Sequence, residues 1–187
     1  MDKLILVTGG SRSGKSAFAQ KMAEALPGPR AFLATCPVID GEMNDRIRRH
    51  QEARSSRDWQ TIEAPMDLAA GLRSAEGKPV VVVDCLTLWV NNVIYEAGQQ
   101  GKGVSEAEIA DRCAPVLEAA RAHVGTVIFV TNEVGMGLVP ETPLGRCFRD
   151  LAGRVNQTIA EACDEVFLVV CGQPLQIKPQ NKSTQLP

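Results

Sequence analysis

Only two histidines, one tyrosine and no C-x-x-C pair occur in 187 residues, and these shortages narrow the chemistry open to the chain. The six cysteines (Cys36, Cys85, Cys113, Cys147, Cys163 and Cys171) are scattered, so neither a zinc-ligand spacing nor a dithiol redox motif is present. Most are expected to be small buried hydrophobes, although Cys36 and Cys85 follow predicted strands, where a site would lie. Charge of one sign is also missing, since 20 Lys and Arg against 22 Asp and Glu leave a net charge of -2. That balance gives no general attraction to nucleic acid or anionic lipid, and any polyanion site must be local. No apolar run reaches the length of a membrane span. The first predicted strand begins within Met1-Asp2-Lys3, which leaves no room for a signal peptide, so a cytoplasmic protein is expected.

The motif that stands out is Gly9-Gly10-Ser11-Arg12-Ser13-Gly14-Lys15-Ser16, directly after the apolar run Leu4-Ile5-Leu6-Val7. Strand, GxxxxGK[ST] and helix in that order make a phosphate-binding P-loop. Glycines at the two ends let the backbone curl so that its amide N–H groups converge on phosphates. Lys15 supplies a cation, Ser16 has the hydroxyl position that ligates Mg2+, and the helix starting at Lys15 adds the positive end of its dipole. A nucleoside triphosphate is the expected ligand.

Strands are predicted at 3–8, 30–35, 59–63, 80–83, 126–131, 165–170 and 175–177, with helices at 15–26, 42–54, after Pro65, 86–96 and 106–123. Val80-Val81-Val82-Val83 reads as a central parallel strand buried on both faces. Gly98–Gly103 and 132–143 read as loops. Leu144, Phe148, Leu151, Val155 and Ile159 recur at helical spacing and define a core-facing stripe. Strands alternating with helices make a mostly parallel α/β sheet flanked by helices, with ligands beyond the carboxyl ends of the strands. One catalytic domain over residues 1–179 is expected, followed by a polar tail at 180–187.

Two further features bear on chemistry. Asp84 ends the four-valine strand, where P-loop proteins place the acidic residue that holds Mg2+, though an Asp there could equally cap the next helix. No Asn-Lys-x-Asp guanine signature follows the next strand, which argues against a Ras-like GTPase. In the helix at 42–54, Arg46, His50 and Arg54 lie four apart and share one face. Such a stripe could grip a triphosphate, with the neighbouring arginines disfavouring imidazolium and keeping His50 nucleophilic. A solvated helix whose arginines pair with Glu42, Asp45 and Glu52 is the plain alternative. His123, at a predicted helix end, is given no chemical role.

Taken together these segments resemble the bifunctional adenosylcobinamide kinase and adenosylcobinamide-phosphate guanylyltransferase family of cobalamin biosynthesis. The likeness runs from Val7–Ser16 through Ala34-Thr35, Glu42-Met43, Arg46-Ile47, His50, Trp59–Glu63 and Asp84–Thr87 to Thr131–Glu141 and Phe148–Gln157. The resemblance implies a RecA-like P-loop fold, commonly a homotrimer, with Mg2+ and two reactions on one corrinoid. First the terminal phosphate of ATP or GTP passes to the hydroxyl of adenosylcobinamide; then GTP donates GMP to that phosphate, giving adenosylcobinamide-GDP and pyrophosphate. It implies a histidine-bound GMP at His50, and guanine-nucleotide contacts at Gly9 through Ser16, Ala34, Thr35, Cys36, Gln51, Glu52, Ala53, Arg54, Glu63 and Asp84. Ser55-Ser56-Arg57-Asp58 lengthens the spacing before Trp59 relative to many members. The competing readings are a simple P-loop kinase or ATPase with an inert His50, and a nucleotide-controlled binding protein.

Overall fold

The computed structural model describes residues 2–36 and 58–179. The helix expected at 42–54 and the tail at 180–187 lie outside them. Their order is β1 (Lys3–Thr8), α1 (Lys15–Glu24), β2 (Arg30–Ala34), β3 (Trp59–Glu63), α2 (Leu68–Ser74), β4 (Val80–Asp84), α3 (Leu86–Gln99), α4 (Glu106–Ala122), β5 (Thr126–Val130), α5 (Pro143–Ala162), β6 (Glu165–Val170) and β7 (Gln173–Lys178). The seven strands form one sheet in the order β3-β2-β4-β5-β1-β6-β7. Only β7 runs antiparallel, against β6.

Every inner strand is apolar at successive positions because both faces of the sheet are covered. Leu4, Leu6, Leu33, Val81, Val83, Val127 and Phe129 face one layer, where they meet Leu68, Leu72, Trp89, Val90, Ile109, Leu151, Val155 and Ile159 of α2, α3, α4 and α5. The alternate residues Ile5, Val7, Val80, Val82, Ile128, Val130 and Val169 face the other, where α1 packs through Ala19 and Ala23. Those alanines, both fully buried, let α1 come close to the sheet.

The helices start where local chemistry allows. Ser105 and Glu108 form a reciprocal capping box at the head of α4. Thr142 accepts from the Gly145 N–H before Pro143 at the head of α5. Two expectations need correction. α3 runs on through Gly98 to Gln99, three residues beyond the predicted end. In α5 the apolar stripe holds for Leu151, Val155 and Ile159 and partly for Phe148, but Leu144 is 65% exposed. It lies in the first turn of the helix, and Met136, Leu138 and Val139 of the preceding loop are exposed as well.

Candidate nucleotide site

The site is assembled by strand register. Val7 pairs with Val130, Val130 with Asp84, Asp84 with Ala34, and Ala34 with Glu63. Five strands therefore end in one row, and four of the sequence-predicted segments stand along it: the P-loop, Ala34 through Cys36, Glu63 and Asp84. At about 4.8 Å per strand the row spans roughly 19 Å from β1 to β3, the scale of an extended nucleotide. Glu63 is exposed at the far edge. His50, Gln51, Glu52, Ala53 and Arg54 lie outside the described residues.

Backbone geometry makes the phosphate loop. Gly9 has φ +154°, and a Cβ there would stand 2.5 Å from the Val169 carbonyl oxygen. Gly14, with φ +95°, precedes α1, and its missing side chain leaves room for Gly172 of the β6–β7 turn. Arg12, between them, is left-handed at φ 60°. The Gly172 N–H donates to the Ser13 carbonyl (2.8 Å), so the C-terminal hairpin braces the loop. Gly10, Ser11 and Ser16 complete the curve, and Ser11 and Ser16 are exposed.

Lys15 is buried, and its Nζ donates to the Gly10 carbonyl (3.1 Å). Burial pushes its ammonium below the ordinary lysine value, while the negative charge of Asp84 pulls it back up. Asp84 therefore lies within electrostatic reach of Lys15. Asp84 is the last residue of β4, and Cys85 holds the N-cap position of α3 without a side-chain cap bond. Asp84 and Ser16 offer a carboxylate and a hydroxyl, hard oxygen donors of the kind Mg2+ accepts alongside phosphate oxygens and water. Among the described residues, three buried polar side-chain atoms lack a partner, and two of them are Thr8 Oγ1, at the end of β1, and Ser13 Oγ, in the loop.

Behind the row lies a polar layer of which only Thr35, expected to contact the nucleotide, is given a role from the sequence. Thr35, fully buried, donates from Oγ1 to the Cys85 carbonyl (2.8 Å) and accepts from the Cys85 N–H (2.7 Å). Asn92 of α3 donates to the Thr35 and Pro65 carbonyls. Further along, Thr87 and Thr131 share a hydrogen bond, Thr131 donates to Asn156 Oδ1 (2.7 Å), and Asn156 donates to the Asn132 carbonyl. These bonds lock the chain on both sides of Asp84 and beyond β5. The available signal was an asparagine inside an otherwise apolar helical face, Asn92 in α3 and Asn156 beside Val155 in α5.

Thr35→Val keeps the shape but orphans the buried Cys85 N–H, while the Cys85 carbonyl keeps the Trp89 N–H, and is expected to lower stability by about 1–3 kcal/mol. The shift of the urea midpoint against wild type measures it. The Cys85 thiol is pushed up to about 11, by burial first and the Asp84 charge second. Cys113 and Cys163 rise to about 12 through burial. These three are inert core thiols, as expected, whereas Cys171 is exposed. His123 caps α4, with Nε2 2.9 Å from the Lys78 carbonyl.

A P-loop at the end of β1, an acid at the end of β4 and one strand inserted between them define a P-loop NTPase of RecA-like architecture. Two solved structures share that fold: an ATPase from the type III secretion system of pathogenic bacteria (TM-score 0.58, 12% identity, 90% of this chain) and the ATP synthase subunit NeqB from Nanoarcheaum equitans (TM-score 0.61, 10% identity, 89% of this chain). The chain covers about half of each, 51% and 45%. Residues 5–177 match the family model described as CobU, cobinamide kinase / cobinamide phosphate guanyltransferase, and the chain belongs to that family. It is 40% identical over 183 residues to the bifunctional adenosylcobalamin biosynthesis protein CobU of Salmonella typhimurium, covering 94% of this chain and 99% of the relative. Against the bifunctional adenosylcobalamin biosynthesis protein CobP of Pseudomonas aeruginosa it is 41% identical over 175 residues, covering 92% and 96%. Among the described residues no helix is long and apolar enough to cross a membrane.

Proposed function

We propose that this chain performs both reactions of its family, phosphorylating adenosylcobinamide with ATP or GTP and then transferring GMP from GTP through His50 to give adenosylcobinamide-GDP and pyrophosphate. The observation that carries this reading is the row of strand ends, which puts the phosphate loop, Asp84, Ala34 and Glu63 along one edge. In the first reaction the acceptor hydroxyl approaches the γ-phosphorus from beyond the end of the triphosphate. In the second a nucleophile beside its middle attacks the α-phosphorus. The two attacks need different approaches, so one bound triphosphate can serve both.

Gly9 through Ser16 cradle the phosphates with backbone N–H groups. Lys15 sets its charge against the oxygens that gain electron density. Ser16 and Asp84 would hold Mg2+, whose charge when bound neutralises the phosphate oxygens. Glu63, Ala34 and Cys36 line the side away from the P-loop. Thr35 acts on the nucleotide through the Asp84–Cys85 segment that its hydroxyl pins. Gln51, Glu52, Ala53 and Arg54 accompany His50. A neutral imidazole attacks phosphorus, and the resulting cationic phosphoramidate is a good leaving group for the second displacement.

A homotrimer in the cytoplasm completes the proposal, and the exposed Met136, Leu138, Val139 and Leu144 offer apolar surface for contact. Incubation with GTP labelled at the α-phosphate, followed by alkaline denaturation, tests the central step. A protein-bound label that survives alkali and is lost in acid is expected. Active enzyme with no covalent label rejects the histidine route.

A further inference from the structure

Resting on the bifunctional reading above, we propose that Glu133 accepts the proton of the cobinamide hydroxyl in the kinase step, at the inner wall of a groove that holds the hydroxyl-bearing arm of the acceptor. Because β5 lies between β1 and β4, the chain leaving it emerges between the phosphate loop and Asp84. The Glu133 N–H donates to the Gly9 carbonyl (3.1 Å), which fixes the residue beside the first glycine of the P-loop. Its side chain lines a groove of about 360 Å³ together with Glu106, Arg149, Asp150, Arg154 and Gln157. A substrate arm in that groove ends where the P-loop begins.

The three carboxylates of the groove are not equivalent. Asp150 pairs with Arg149 at 3.1 Å, and Glu106 pairs with Arg154 at 2.8 Å. Glu133 has no cationic partner among the described residues; its Oε2 meets only the Asn156 amide, at 3.4 Å. No guanidinium competes for its oxygens, and Asn156, itself anchored to Thr131 and the Asn132 carbonyl, orients them. Two guanidiniums, one carboxamide and three carboxylates present donors and acceptors in near balance. Such a lining suits a neutral acceptor rich in amides and hydroxyls better than a second polyanion.

In the step itself the acceptor oxygen forms a bond to the γ-phosphorus. The bond from that phosphorus to the β–γ bridging oxygen breaks, and its electron pair leaves with the nucleoside diphosphate. The hydroxyl proton passes to a Glu133 carboxylate oxygen and from there to water in the groove.

The test applies two assays to the same full-length preparations: phosphate transfer from γ-labelled GTP to adenosylcobinamide, and protein-bound label from α-labelled GTP. Glu133→Gln is expected to lower kcat for phosphate transfer by about 10²-fold or more, the usual scale for losing a general base, with protein-bound label still formed. Glu133→Asp, which keeps the carboxylate at shorter reach, restores part of the loss. Phosphate transfer within about tenfold of wild type in Glu133→Gln, or a parallel fall of both readouts, overturns the assignment. Wild-type protein lacking either activity overturns the parent reading instead, so the two failures are distinguishable.

Discussion

His50→Ala is expected to abolish the alkali-stable GMP adduct and to cut guanylyl transfer by at least about 10⁴-fold, while phosphate transfer to adenosylcobinamide stays within about threefold of wild type. The size of the effect follows from chemistry. Removing a covalent nucleophile takes away a whole route, whereas removing a positioning contact weakens one. The selectivity follows from geometry, since the γ-phosphorus is attacked by the acceptor itself and needs no imidazole. Quantifying label on denatured protein beside a kinase assay checks both halves. Equal loss of the two activities in a folded variant would show that His50 serves binding and not covalent transfer.

Lys15→Ala is expected to depress both reactions together, by about 10²–10³-fold each, because a single cation stabilises charge that grows on the same phosphate chain in either displacement. Its fold should survive. Lys15 is desolvated, with its ammonium pushed down in spite of Asp84 nearby, and replacing it with Ala removes a buried charge and leaves only Asp84, which is half-buried and open to water. Steady-state rates with thermal unfolding of the same sample separate the two effects. A variant that loses one reaction only would show that the two steps do not share a triphosphate position.

Much of this architecture is legible in the chain because the signals are local. The P-loop is a contiguous spacing, and the four valines of β4 need no partner to be read as a strand buried on both faces. β3 falls on Trp59–Glu63 as the pattern suggests. Strand order is a different matter: nothing in Thr126–Val130 says that it slots between β1 and β4, and that insertion is what brings Glu133 to Gly9. Leu144 misleads because helical periodicity says which face a residue occupies, not whether the core extends that far along the axis. The polar layer joining Thr35 to Asn92 and Thr87 to Thr131 and Asn156 is not legible as a layer, because its members come from separate elements that meet only after folding.

The brace between Gly172 and the Ser13 carbonyl has a consequence for biogenesis. During translation the glycine-rich loop leaves the ribosome long before the turn that props it. A nascent chain halted before the β6–β7 hairpin therefore carries every residue of the loop without its support. Competence to capture a triphosphate waits until that turn has been made and has met the loop.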